Sequence, residues 1–146
     1  MTTVAYRGGV MAADSGCWIG DARHGWGEKL VKGKDGTLYG LSGDTAACCE
    51  FMEWAEGGEG EMPRPVRRDE DRNSFVALAV SPGGPIRLLT AGGWERFPSA
   101  PYYAIGASLE VALGALWHGA TAVDAIKAAL AHGSGAFGEV QVIRHG

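Results

Sequence analysis

The residue with the most chemistry open to it stands second in the chain. Thr2 carries a hydroxyl one residue from the amino end. Once Met1 is removed, that hydroxyl is joined by a free α-amine on the same residue. The unperturbed pKa of such an amine, about 8, lets it take a proton at working pH. A nucleophile with its own base results, as acyl transfer through a covalent intermediate requires. Thr is small enough for a preceding Met to be removed, and no basic and apolar leader stands before the first apolar segment. Neither a signal peptide nor a propeptide is therefore expected. The other reactive side chains offer less. His24, His118, His132 and His145 show no metal-ligand spacing, and no metal or other cofactor is expected. Cys17 has no sequence-local partner to act as its base, and a spectator thiol is the commoner case. Adjacent Cys48 and Cys49 suit neither a metal site nor a disulfide, which points to a reducing, cytoplasmic setting. The paired glycines form no phosphate loop.

A hydroxyl near a chain end is useful only if its strand is held, because termini are usually loose. Residues Met1 to Ser15 supply that hold as a tight β-hairpin. Val4, Ala5 and Tyr6 form one arm, Gly8-Gly9 the turn and Val10 to Ala13 an apolar second arm. A Gly-Gly pair provides the positive φ values that a two-residue hairpin turn needs. Gly16 to Gly27 is a Gly- and Trp-rich connection with no clear period. Leu30 to Lys32 and Thr37 to Leu41 flank the turn Lys34-Asp35-Gly36. Thr45 to Ala55 reads as a helix, with Ser42 or Asp44 as its N-cap. Phe75 to Val80 is a strand covered on both faces. Ile86 to Thr90, Trp94 to Phe97 and Tyr102 to Ile105 follow as further strands, separated by Gly and Pro turns. Leu109 to His118 is helical, with Leu109, Ala112, Leu113 and Leu116 on one stripe. Thr121 caps the last helix, with Asp124 three residues on. His132-Gly133-Ser134-Gly135 breaks it, and Glu139 to Ile143 alternates as a final strand. Strand pairs, two helices, strands, two helices and a strand predict an α+β fold, and they suit two stacked sheets with helices outside.

The 146 residues predict one domain, residues 1–146, with a single sizeable core. Mean composition is ordinary for a globular protein, at 46% hydrophobic and 21% charged. A net charge of −4 argues against nucleic acid as a partner, and no apolar run approaches the length of a membrane helix. The 24 glycines are spread through turns, which suits a β-rich domain. The one break in composition is a charged Pro/Gly loop at about residues 57–73. It reads as a solvated connector or as a partner-binding loop.

The ordered set of these residues resembles the catalytic β subunits of the proteasome and the ATPase-dependent HslV-type peptidases, which are N-terminal-nucleophile hydrolases. Those proteins begin Thr-Thr and continue into a hairpin ending Gly-Val-(apolar)-Ala-Ala-Asp-Ser. Here the chain has Thr2-Thr3 and then Gly9-Val10-Met11-Ala12-Ala13-Asp14-Ser15. Lys29-Leu30-Val31 and Gly40-Leu41-Ser42-Gly43 match the family's Lys and helix-entry Gly with their spacing preserved. Tyr103-Ala104-Ile105-Gly106 matches its Ile-Gly segment. The resemblance implies a four-layer αββα sandwich and a threonine-type peptidase. It implies Thr2 as nucleophile, Lys29 as a neighbouring buried cation, Asp14 as the group holding Lys29, and the Gly43 N–H as oxyanion donor. It implies a substrate-binding role for Ser15, Cys17, Trp18 and Ser42, with a small or apolar pocket near Cys17 to Gly20. Trp18 or Ile19 lines the groove on this reading, and the same segment also reads as a packed surface loop. The implied substrates are peptides or unfolded polypeptides, in a homo-oligomeric ring with the nucleophiles inside. An unfoldase ATPase is a further implied partner.

The sequence departs from the family at two places. Ala107 aligns with a Ser whose hydroxyl contacts the terminal amine, and Gly133 and Ala136 align with an Asp and a Ser in the last helix-to-strand connection. Ser108 and Ser134 are the neighbouring candidates to support the amine. Two other readings stay open: a catalytically weak or inactive protein of the same fold, and a small-molecule amidase using the same Thr2.

Overall fold

Val4 and Ala5 point to opposite faces of the first strand, and those faces meet different layers. The computed structural model describes residues 1–64, 75–90 and 92–146. In chain order the strands are β1 (Thr3–Arg7), β2 (Val10–Ala13), β3 (Cys17–Ile19), β4 (Ala22–His24), β5 (Leu30–Lys32) and β6 (Leu38–Gly43). Helix α1 (Thr45–Gly57) follows, then β7 (Phe75–Val80), β8 (Ile86–Thr90), β9 (Gly93–Arg96) and β10 (Tyr102–Gly106). Helices α2 (Leu109–Trp117) and α3 (Ala122–His132) and strand β11 (Gln141–Arg144) complete the order.

Two antiparallel sheets stack face to face. One has the order β10-β1-β2-β11 and the other β5-β6-β7-β8-β9, with β3-β4 as a separate two-stranded hairpin. Because side chains alternate along a strand, each sheet has an inner and an outer face. The inner faces meet through Val4, Met11, Leu30, Leu38, Leu78, Val80, Leu88 and Ile105. The outer face of the four-stranded sheet presents Ala5, Ala12 and Ala104, small residues against which α2 and α3 lay Ala112, Leu116, Ala125 and Ile126. The outer face of the five-stranded sheet presents Leu41, Ala77 and Ala79 to Phe51 and Ala55 of α1. Helix, sheet, sheet, helix is the expected four-layer αββα sandwich. Gly40 sets how closely the sheets approach: a Cβ there would lie 2.4 Å from Val4 Cγ1 and 3.0 Å from Met11 Sδ.

The hairpin forms as its residues dictate, with Gly8 at φ +59° and Gly9 at φ +81°. Of the two expected N-caps for α1, Asp44 is the one used, and its carboxylate accepts from Ala47 N at 3.2 Å. Thr121 caps α3 by accepting from Asp124 N at 3.1 Å. Among the described residues a single helix stands between β6 and β7, where two were expected. Gly58, at φ +65°, closes α1 with a left-handed cap. Most of the charged stretch at 57–73 lies outside the described residues. The final strand begins at Gln141, two residues later than the alternation suggested.

Candidate active site

Three elements converge on the amino end of β1. Register pairs Thr3 with Gly106 on β10, and Val4 with Ala13 on β2. The strand end is tied further by its own polar groups. Ala107 N donates to Thr2 O at 2.8 Å. Thr3 N donates to Asp14 Oδ1 at 2.9 Å, and Thr3 Oγ1 accepts from Ser108 N at 3.1 Å. Thr3 is fully buried, so of the two threonines Thr2 alone has its side chain partly open. Gly106, at φ +102°, is required for this approach, since a Cβ there would stand 1.8 Å from Thr2 O.

Asp14 and Lys29 lie directly behind. Lys29 Nζ donates to Asp14 Oδ1 at 3.0 Å, to Gly16 O at 2.6 Å and to Met1 O at 3.0 Å. An ammonium has three donors, and all three are used. The Met1 carbonyl belongs to the peptide bond that leads into Thr2, so the cation touches the backbone at the nucleophile. Burial pushes the Lys29 ammonium below its ordinary pKa, and the Asp14 carboxylate pulls it part of the way back. The fully buried Asp14 carboxylate accepts from Thr3 N, Lys29 Nζ and, at 3.3 Å, Phe137 N. A buried carboxylate with several donors is a satisfied anion rather than a strand-end turn residue.

Gly43 sits where β6 passes into α1, at φ +123°, a conformation that favours glycine. Gly43 and Ser42 line one cavity of about 740 Å³ together with Met1, Thr2, Val76, Leu88, Tyr103 and Gly106. That volume is in the range of sites for small ligands or peptide side chains. The structure therefore brings Thr2, Ser42 and Gly43 to one cavity, with Lys29 and Asp14 behind Thr2.

The remaining expected residues lie elsewhere or are engaged. Ser15 is buried and its hydroxyl accepts from Glu139 N at 2.7 Å, so it anchors the last connection and does not line the Thr2 cavity. Cys17 and Trp18 fall on the β3-β4 hairpin and do not line the Thr2 cavity. Trp18 packs edge-on against Phe137, with ring centroids 5.9 Å apart. None of Cys17 to Gly20, where a small or apolar pocket was expected, lines the cavity at Thr2. Cys17 does have a base within reach, contrary to the sequence reading: His24 faces it across the hairpin, with Nε2 at 3.0 Å from Sγ. Ser108 donates its hydroxyl to Ser134 O at 2.8 Å. Ser134 thus contributes its carbonyl to that bond, and the Ser108 hydroxyl proton is already committed. Gly133 has a local reason: a Cβ there would lie 2.4 Å from Ser108 Oγ, so no side chain fits.

Gln141 escaped the sequence reading. Its Nε2 donates to Asp14 O at 3.0 Å and Gly27 O at 2.8 Å, and its Oε1 accepts from Lys29 N at 3.0 Å. One side chain thus ties both members of the ion pair by their backbones. A Gln at the start of an otherwise alternating strand was the available signal. Among the described residues no cluster of His, Cys, Asp and Glu is arranged to hold a metal, and no helix is long and apolar enough to cross a membrane.

No family model matches the chain, and no curated protein sequence does. Solved structures do match over nearly all of it. HslV from Trypanosoma brucei is similar at a TM-score of 0.68 and 19% identity, covering 99% of this chain and 100% of that one. BPH from Thiobacillus denitrificans, solved in complex with epoxomicin, is similar at a TM-score of 0.68 and 16% identity, covering 99% and 98%. Anbu, the ancestral β-subunit, from Yersinia bercovieri is similar at a TM-score of 0.67 and 14% identity, covering 98% and 80%. The chain has the proteasome-type fold of the N-terminal-nucleophile hydrolases.

Proposed function

We propose that this chain, built on the proteasome-type N-terminal-nucleophile hydrolase fold, is a threonine peptidase acting through Thr2 after removal of Met1. The observation that carries the reading is the buried Lys29 ammonium, held by Asp14 and touching the peptide bond that leads into Thr2. Removing Met1 takes away one of the three acceptors of Lys29 Nζ and leaves a donor at the new terminus. A cation there favours the neutral amine and the alkoxide-like hydroxyl over their more positive forms.

In the proposed reaction Thr2 Oγ1 attacks the substrate carbonyl carbon and its proton passes to the Thr2 amine, directly or through one water. The carbonyl oxygen becomes the oxyanion, and the backbone at the β6–α1 junction, at Gly43, supplies its donors. The C–N bond then breaks, the leaving amine takes the proton, and an ester on Thr2 remains. Water, deprotonated by the same amine, hydrolyses it. The 740 Å³ cavity lined by Ser42, Val76, Leu88 and Tyr103 takes the apolar part of the substrate. Extended peptides or unfolded polypeptides are the proposed substrates. The chain acts as one domain within a homo-oligomeric ring, in the cytoplasm, with an unfoldase ATPase as an optional partner.

A second reading has its own observation. Ala107 offers no hydroxyl to the amine, and that of Ser108 is committed to Ser134 O. That favours a protein of the same fold without peptidase activity, or an amidase acting on small amides that fit the cavity.

The test is intact mass before and after a peptide epoxyketone, on protein shown by mass to begin at Thr2. That reagent closes a ring with both a free terminal amine and the Thr hydroxyl. A single adduct that disappears in Thr2→Ala supports the peptidase. No adduct turns the reading to the inactive protein or the amidase.

A further inference from the structure

The β3-β4 hairpin carries a pair of side chains that the Thr2 chemistry does not use. Cys17 and His24 are register partners across it. Side chains directly opposite on one face of an antiparallel pair stand close enough to interact without rearrangement. Here Cys17 Sγ lies 3.0 Å from His24 Nε2 and 3.7 Å from Nδ1. The other face of the hairpin fixes the pair in place. Trp18 packs edge-on against Phe137, and the Arg23 guanidinium lies 4.0 Å above the centre of the same ring. Behind the sulfur, Gly27 leaves just enough room: a Cβ there would come within 3.1 Å of Cys17 Sγ. Trp26 flanks the imidazole, with ring centroids 5.9 Å apart. Both Cys17 and His24 are half-buried, so the pair is partly shielded and still reachable.

The other thiols lack this setting. Cys48 is pushed up to about 11 by burial, which keeps it a neutral thiol. Cys49 is exposed on α1, with no imidazole within hydrogen-bonding distance among the described residues. A cation also stands nearby: the Lys29 ammonium donates to the carbonyl of Gly16, the residue before Cys17. A thiol with a base in contact and a cation nearby, partly exposed, is the setting of a reactive cysteine.

We propose that Cys17, with His24 as its base, is a reactive thiol site for soft electrophiles and low-molecular-weight disulfides. His24 Nε2 takes the proton from Cys17 Sγ. The thiolate attacks one sulfur of the disulfide, a new S–S bond forms at Cys17, and the old S–S bond breaks. Its electron pair leaves with the departing thiolate, which takes the proton back from His24. Cys17 is oxidised to a mixed disulfide, and half of the reagent is reduced to its thiol. The site stands independently of any activity at Thr2.

The test labels the whole chain with limiting iodoacetamide, and separately with oxidised glutathione, at neutral pH. The rate at each cysteine is read by peptide mass. Cys17 is expected to react about tenfold faster than Cys49 in the same molecule, although Cys49 is the more exposed. His24→Gln is expected to slow Cys17 by about tenfold and leave Cys49 unchanged. Cys17 reacting no faster than Cys49 in the unsubstituted chain would overturn the proposal, whether or not the His24 variant folds. An equal Cys17 rate in a folded His24→Gln chain would also overturn it.

Discussion

Lys29 Nζ lies 3.0 Å from Asp14 Oδ1, and both side chains are sealed from solvent, at 7% and 0% exposure. Neither charge is tolerable alone in such a place. Removing one partner of a buried pair leaves an uncompensated charge, at a cost of about 3–5 kcal/mol. Asp14→Asn is therefore expected to destabilise by about 3 kcal/mol, measured by urea unfolding. Lys29→Met is expected to cost a similar amount. The double variant is expected to cost clearly less than the sum, since it leaves no stranded charge. Additive costs would mean that the two groups do not act as a pair.

Gln141 is expected to matter through position rather than chemistry. It donates to Asp14 O and Gly27 O and accepts from Lys29 N. Gln141→Leu keeps the approximate volume and strands these partners, an expected loss of about 2 kcal/mol. Gln141→Glu should be no better, because a carboxylate would face two carbonyl oxygens. A Glu variant as stable as the parent at neutral pH would show that the amide's donors are not needed.

Two glycines should respond in opposite directions to the same added methyl. Gly106 has φ +102° and a Cβ there would meet Thr2 O at 1.8 Å. Gly106→Ala is expected to cost about 3–4 kcal/mol or to displace Thr2, abolishing any epoxyketone adduct. Gly114 lies within α2 with open space at its Cβ. Gly114→Ala is expected to stabilise by about 1 kcal/mol, read as a rise in Tm. A destabilised Gly114→Ala would mean that this helix face is covered in the assembled protein.

Alkaline pH should separate two groups whose pKa values are shifted in opposite directions by desolvation. Burial pushes the Cys48 thiol from its ordinary 9.0 up to about 11, so the folded chain holds its proton longer than the unfolded one. Its contribution to stability is present below pH 9 and is lost as pH rises through about 11. Lys29 runs the other way. Its folded pKa lies below 10.5, so the cost of burying its charge is relieved as pH rises toward 10.5. Cys48→Ala is therefore expected to flatten the fall in stability between pH 9 and 11, with Lys29→Met removing the opposing rise. Unfolding free energy measured across that range, with no change of slope in Cys48→Ala, would refute the assignment.

The local patterns in the chain were enough for the helices and for every strand outside the β3-β4 hairpin, while the four layers were implied by the family resemblance. Gly8-Gly9 forces a two-residue turn, Phe75 to Val80 is apolar throughout because both its faces are covered, and Thr121 with Asp124 starts α3. The turn and the helix cap are settled by contacts within a few residues. Thr2, Asp14, Lys29 and Gly43 stood out for their types and order. Their meeting is the work of the sheets, which bring β1, β2, β5 and β6 to one end of the sandwich. What the sequence left open were the partners of polar groups across long separations. Ser15 looked available to substrate until Glu139 was found on its hydroxyl, 124 residues away. Cys17 looked partnerless until the hairpin placed His24 beside it. Gln141 looked like one residue of an alternating strand until its amide was found between Asp14, Gly27 and Lys29. A hydrogen bond depends on distance and direction in space, and only the packed tertiary structure decides which distant donors and acceptors meet.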